Sequence, residues 1–285
     1  MNSFDEYVAR KEAGAARAIL SPLVTEVDQP PPAVTAIGNA WSRRMFDGPF
    51  YVSPAPSDGL PSTSLVFVRS RDGNTGAADP SSLGAGEADK HLVYEGLSRV
   101  AADAVMAGAE TIRGGRIVLS IWHPELVALR ASLRLPRHPV QIVATLRGLD
   151  FNGRLFDTPE LGVVIVTVGA CTELMITPVA DRPWITMLTM PSARDLPYAF
   201  RRLREMGLAR ISCIGGRTLA RQLIDAGLIR DVYLTTSAKE AGEPGTPLYP
   251  RPLTGELVVR KRGTAADEGV VFEHLRLGSR LRSDK

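Results

Sequence analysis

Two stretches of the sequence put small and hydroxyl residues where a backbone can take hold of an anion. In "RISCIGGRTLARQLIDAGLIRDVYLTT", Arg210 to Thr236, an apolar run ends in Gly215-Gly216 and an amphipathic pattern begins near Thr218. Glycine lets the chain adopt positive φ and approach a ligand closely, and the free N–H groups of a first helical turn favour a phosphate. By itself the pair fits a tight strand-to-helix turn that binds nothing equally well. The second stretch, "DAVMAGAETIRGG", runs from Asp103 through a strand pattern into Gly108, Ala109, Thr111 and Gly114-Gly115. Two such turns after two parallel strands would bracket one extended, anionic cofactor, with the Thr111 and Thr218 hydroxyls adding hydrogen bonds. Neither a G-x-G-x-x-G fingerprint after the first strand nor a G-x-x-x-x-G-K-[ST] loop is present.

The remaining polar candidates are scattered. Asp72 in "SRDGNTG" could protonate a reacting nitrogen or bond the turn it sits in, as Asp commonly does. Arg99 could reach an anionic substrate or pair with Glu95 one helical turn earlier. Zinc deamination needs H-x-E together with P-C-x-x-C. "HPE", His123 to Glu125, supplies the first, and two distant cysteines, Cys171 and Cys213, cannot supply the second. Both are expected to be reduced, buried and structural. His91, His138 and His274 show no ligand spacing and are expected on the surface or in helix packing, so no metal is expected.

These residues need a scaffold, and the chain supplies one with a change of texture along it. Residues 1–62 form an N-terminal extension, with a short helix expected from Phe4 to Leu20 and a Pro/Gly-rich wrap after it. Its Trp41, Phe46, Phe50 and Tyr51 argue against disorder. Residues 63–280 are regular. "SLVFVRS", "DAVMAGA", "VQIVAT", "LGVVIVTV", "WITML", "RISCIG" and "DVYLTTS" read as strands. "EADKHLVYEGLSRVA", "PELVALRASL", "ARDLPYAFRRLREMG" and "TLARQLIDAG" read as helices. That alternation predicts an α/β fold with a mostly parallel central sheet covered on both faces. "ELVVRKRG" and "GVVFEHLRL" are expected to form a C-terminal antiparallel hairpin closing the sheet edge. Residues 281–285 are read as a tail.

Composition excludes some classes. With 34 Lys+Arg against 31 Asp+Glu the net charge is +3, and the arginine groups in "WSRRMF" and "FRRLRE" do not alternate with exposed aromatics, so no nucleic-acid partner is expected. No apolar run reaches the roughly 18 residues of a membrane span. No membrane partner and a cytoplasmic location are expected.

Three motifs in order carry a family resemblance. "SLVFVRSRDGNTG" resembles the first strand and S-x-D-G turn of the riboflavin-biosynthesis reductase domain, the C-terminal domain of the bacterial bifunctional deaminase-reductase. "LSRVAADAVMAGAETIR" and "CIGGRTLARQLIDAGLIRDVYLTTSAKEAG" are similar to the two segments of that family holding its cofactor threonine and its Gly-Gly turn. The resemblance covers Ser64 to Leu277. It implies a three-layer α-β-α dihydrofolate reductase-like fold and an NADPH-dependent oxidoreductase, commonly a homodimer, without metal or flavin. The substrate it implies is 5-amino-6-(5-phosphoribosylamino)uracil. Carried over by position, cofactor contacts come from Val68, Gly108, Thr111, Gly115, Thr145, Gly215, Gly216, Arg217, Thr218 and Leu219. Ser70 and Arg99 fall near the substrate, and Asp72 is the catalytic candidate. Arg147 or Arg217 would pair with the 2′-phosphate of NADPH.

The substrate side departs from the family. Ile214 stands where relatives carry an acid, Gly115-Arg116 replaces an acidic pair, Trp122 replaces an arginine and Asn74 a basic residue. These departures keep open a dihydrofolate or dihydropterin reductase, acting on a pterin, and a non-catalytic NADPH-binding protein.

Overall fold

Runs of Val, Ile and Leu that alternate with amphipathic stretches bury most surface by stacking helices on both faces of one sheet. The computed structural model, which describes residues 3–77, 79–112 and 115–278, has that form. Gly114 and the expected tail at 281–285 lie outside the described residues. The chain begins with α1 (Ser3–Ala16), β1 (Val24–Asp28), β2 (Thr35–Ile37), α2 (Ala40–Met45) and β3 (Phe50–Val52). It continues through β4 (Ser62–Arg69), α3 (Gly86–Ala88), which runs on into a π-helix (Asp89–Leu97), β5 (Ala104–Gly108), α4 (Pro124–Ser132) and β6 (Val140–Ala144). Then follow α5 (Arg154–Asp157), β7 (Val163–Val168), α6 (Gly169–Val179), β8 (Ile185–Met190), α7 (Leu196–Glu205), β9 (Arg210–Ile214), α8 (Arg217–Asp225), β10 (Asp231–Thr236), β11 (Gly255–Arg262) and β12 (Val271–Leu277).

Ten strands make one sheet in the order β1-β11-β12-β10-β4-β9-β5-β6-β7-β8. From β10 to β8 every neighbour is parallel, and the β12, β11 and β1 pairings are antiparallel. Alternate residues of one strand feed opposite faces. Val66, Val105, Val143 and Ile165 join the core under α1, the π-helix and α6. Leu65, Met106, Ile142 and Val164 join the core under α7 and α8. Among the described residues no helix is long and apolar enough to cross a membrane.

The structure differs from the sequence reading at three places. The first helix stops at Ala16, not Leu20, because Gly14 weakens its last turn and the chain turns through Arg17 N to Gly14 O. The expected hairpin β11–β12 does not close the edge alone, since β1 from the N-terminal segment pairs outside β11, Val24 against Arg262. Buried Lys261 fixes that junction by donating to Thr25 Oγ1 at 2.7 Å and to the Asp47 carbonyl at 3.0 Å. The third difference is α6, which joins β7 to β8 where no helix is expected. Its Leu174 and Ile176 are exposed and Pro178 lies in its last turn, so the apolar pattern that marks a helix is missing. Both cysteines are buried and free.

Candidate active site

The carboxyl ends of parallel strands are where an α/β sheet can present loops and helix N-termini to a ligand. Here β4, β9 and β5 lie side by side, and beyond their ends opens a cleft of about 1440 Å³. A small-molecule pocket typically holds about 300–1,000 Å³, so this cleft has room for a cofactor and a substrate together.

At one wall Gly215 and Gly216 take left-handed φ values of 66° and 78°, and α8 starts at Arg217 with no side chain capping its N–H groups. A Cβ built on either glycine would lie 3.5 Å from the Thr111 side chain, so the turn after β9 touches the turn after β5. Val68, Thr111, Gly215, Gly216 and Arg217 all line the cleft. Arg217 Nη2 lies 3.8 Å from Glu243 Oε2, leaving its guanidinium available to a second anion. The other positions expected to touch a cofactor are not among the residues that line the cleft. Gly108 ends β5 with open space around it, Thr218 is exposed beside the turn and Leu219, in the first turn of α8, is buried against the sheet core. Gly115 is packed on Phe156, whose ring a Cβ would meet at 2.8 Å. Thr145 Oγ1 donates to the Gly148 carbonyl at 2.8 Å, and Arg147 is exposed in the same turn.

The structure places Asp72 in the turn after β4. Its carboxylate accepts from Ser70 Oγ at 2.5 Å and from Asn74 Nδ2 at 2.6 Å, and neither Asp72 nor Ser70 lines the cleft. The Ser70 hydrogen bond leads in holding the Asp72 carboxyl below the usual range. This is a turn clasp, and Asn74, where a basic residue was expected, is one of its parts.

Among the carboxyls that line the cleft, Asp89, at the start of the π-helix, is the one whose pKa is pushed up most by burial. Thr235 Oγ1, from β10, donates to its Oδ1. Burial pushes its pKa up to about 7, with the nearby Asp267 adding to the rise and the Thr235 hydrogen bond and Arg99 opposing it. Arg99 also lines the cleft. It does not pair with Glu95: its Nη1 donates to the Ser120 carbonyl at 3.1 Å, while Glu95 Oε2 accepts the Trp122 and His123 N–H groups, each at 2.9 Å. The Arg99 side chain is only 7% exposed, and its Nε has no partner. Such a buried donor is costly unless a ligand satisfies it. Arg130 braces this end of the helix, its Nη1 donating to the carbonyls of Arg99, Val100 and Ala102.

Sequence reasoning missed Asp89 because its partner Thr235 lies 146 positions away. The available signal was a set of ionisable residues, Asp89, His91 and Glu95, on what becomes the buried side of one helix. His91 is wholly buried, not superficial, with Nε2 3.1 Å from Glu87 Oε2 and Nδ1 3.3 Å from Glu95 Oε1. His274 is buried too, 2.8 Å from Asp231 Oδ1, and does not line the cleft. Among the described residues no cluster of His, Cys, Asp and Glu could hold a metal ion. Ile214 and Trp122, where an acid and an arginine were expected, give the cleft an apolar wall.

Comparison with known proteins adds to this geometry. The profile of the RibD C-terminal domain matches residues 61–267. Among solved structures, a pyrimidine reductase-like protein from Corynebacterium diphtheriae superposes with a TM-score of 0.59 at 23% identity, over 76% of this chain and 92% of that one. A diaminohydroxyphosphoribosylaminopyrimidine deaminase/5-amino-6-(5-phosphoribosylamino)uracil reductase from Thermotoga maritima gives 0.55 at 16% identity, over 77% of this chain and 57% of that one. The riboflavin biosynthesis reductase of Saccharomyces cerevisiae gives 0.53 at 15%, over 78% and 92%. At these identities the structures show a shared fold. No curated protein sequence matches the chain.

Proposed function

This chain belongs to the RibD C-terminal domain family, the reductase family of riboflavin biosynthesis, and from that premise we propose that it is an NADPH-dependent pyrimidine reductase. In this reading it converts the ribosylamino group of 5-amino-6-(5-phosphoribosylamino)uracil into a ribitylamino group. The observation that carries the proposal is the meeting of two features in one cleft. One is the bare Gly215-Gly216 turn with the uncapped α8 behind it, and the other is Asp89, a buried carboxyl that keeps its proton to about pH 7.

The residues fit the cofactor. Left-handed backbone without side chains lets the β9–α8 turn approach a diphosphate, and the unpaired N–H groups of α8 favour its charge. Thr111 and Arg217 would add a hydroxyl and a guanidinium to the same ligand. When bound, NADPH supplies the hydride.

The chain's own residues supply the rest. Opening of the ribosylamino ring exposes a C=N bond, and its reduction adds hydride to the carbon and a proton to the nitrogen. Asp89 in its acid form donates that proton from Oδ2, while Oδ1 keeps the Thr235 hydrogen bond. Arg99 steadies the carboxylate that remains until solvent returns the proton, and its free Nε–H takes up a carbonyl or ring nitrogen of the pyrimidine. Leu119, Trp122 and Ile214 keep water from the reacting bond.

NADPH oxidation followed by absorbance, with the phosphoribosylamino uracil and with dihydrofolate as substrates, tests the proposal. Turnover of the uracil is expected. Turnover of dihydrofolate alone would move the substrate to a pterin, as the apolar Ile214 would suit. NADPH binding with turnover of neither would overturn the reductase reading in favour of a binding protein.

A further inference from the structure

The helix α1 lies outside the 61–267 segment that defines the family, yet it forms part of the cleft. Tyr7, Arg10 and Lys11 all line it. Their spacing of three and four positions puts them on one face of the helix. Tyr7 is the pivot: its ring meets Trp122 edge-on at 5.6 Å, and its hydroxyl hydrogen-bonds the Val118 backbone. Phe4 packs edge-on against His138 at 5.4 Å, and Glu12 pairs with Arg137 Nη2 at 2.6 Å. The helix is therefore clamped to the body by its apolar face while Arg10 and Lys11 stay exposed toward the cleft.

Arg10 and Lys11 sit 5.5 and 5.6 Å from the Tyr7 ring, and Arg154 approaches the same ring at 4.4 Å. Arg116, exposed on the loop after β5, lines the same cleft. Among the described residues Arg10, Lys11 and Arg116 form no ion pair. Cations gathered without a counter-charge at a concave wall repel one another and focus a field that draws in an anion. The acids of the cleft do not meet this need: Glu87 is engaged by Lys90 and His91, Glu95 by two backbone N–H groups, and Glu243 lies by Arg217. Glu110 also lines the cleft, and among the described residues it pairs with none of the three cations.

We propose that Arg10 and Lys11 on α1, with Arg116, recognise a phosphate monoester on the substrate, so that the N-terminal helix completes a substrate site the family segment leaves open. The inference rests on the reductase reading for the identity of the substrate. The cations themselves require only a phosphate ester at this wall. NADPH carries the same chemistry in its 2′-phosphate, and the test separates the two sources.

The full-length protein and its R10A/K11A variant are compared in two assays. In steady-state kinetics the variant loses about 10- to 30-fold in kcat/KM on the phosphoribosylamino uracil, chiefly through KM, since two partly exposed charge pairs contribute about 2 kcal/mol together. The dephosphorylated ribosylamino compound shows no such loss, and R10K/K11R restores the phosphorylated substrate. In calorimetry with saturating NADPH, ribose 5-phosphate binds the wild type and binds the variant at least about 10-fold more weakly. That second readout stands even if no reduction occurs, in which case the reductase reading falls and the phosphate site remains. Equal losses on both pyrimidines, a loss with NADPH that vanishes with NADH, or ribose 5-phosphate binding that ignores R10A/K11A would each overturn the proposal.

Discussion

Replacing Asp89 by asparagine removes the proton that its buried carboxyl offers the cleft while keeping the shape of the side chain and an oxygen to accept from Thr235. The consequences for stability and for catalysis both follow from the pKa of about 7. A carboxyl that titrates near 3.9 in the unfolded chain and near 7 in the folded one binds its proton more tightly when folded. Stability from this group is therefore full below about pH 4, declines as pH rises through the interval and is lost above about pH 7. The whole difference amounts to about 4 kcal/mol, and the part between about pH 5 and pH 8 to about 3 kcal/mol. The amide of the Asp89→Asn variant does not titrate and carries no such dependence. Urea unfolding of both proteins at about pH 5 and about pH 8 should show the variant gaining about 3 kcal/mol relative to wild type at the higher pH. Activity moves the other way: loss of a general acid costs about 10²- to 10⁴-fold, and the fall in wild-type kcat above about pH 7 disappears with the acid. A variant within about threefold of wild-type kcat, or a stability difference that does not change with pH, would refute the assignment of Asp89 as a neutral, buried proton donor.

Other perturbations test the scaffold around that group. Gly216→Val forces a β-branched residue to a φ of 78° and fills the floor of the turn, so NADPH affinity should fall about 10- to 100-fold by titration, with a loss of about 1–2 kcal/mol in stability from backbone strain. Arg130→Leu strips the buried guanidinium from three carbonyls at the end of the π-helix. It should cost about 3 kcal/mol in chemical denaturation and lower activity through displacement of Arg99. Gly96→Ala places a Cβ 2.6 Å from Phe50 Cζ, and the overpacking of the π-helix on β3 should cost about 1–3 kcal/mol.

The parallel strands were legible because their β-branched runs are short, nearly continuous and separated by helical spacing, as in "LGVVIVTV" before "WITML". The crossover between those two was not. Leu174 and Ile176 face solvent, so periodicity carried no helix signal, although a parallel β7–β8 pair itself demands a connecting crossover. At the site, Gly215-Gly216 and Thr111 could be found because a bare turn before a helix needs small residues locally. Asp89 and Thr235, like Tyr7 and Trp122, are made neighbours only by the tertiary fold, and nothing local distinguishes them. Asp72 is the opposite case: its local chemistry is conspicuous, and in the fold its carboxylate takes up the hydrogen bonds of its own turn. The aromatics of the N-terminal segment indicated order but not its destination at the cleft and at β11.

Hydride transfer to the sugar carbon is the claim on which the rest depends. Incubation of the full-length protein with NADPH carrying deuterium at both nicotinamide C4 positions and 5-amino-6-(5-phosphoribosylamino)uracil, followed by mass spectrometry of the product, measures it directly. The expected result is a ribitylamino product carrying one deuterium on the carbon bonded to the amino nitrogen. Recovery of unreduced substrate, or of a reduced product without deuterium, would contradict it.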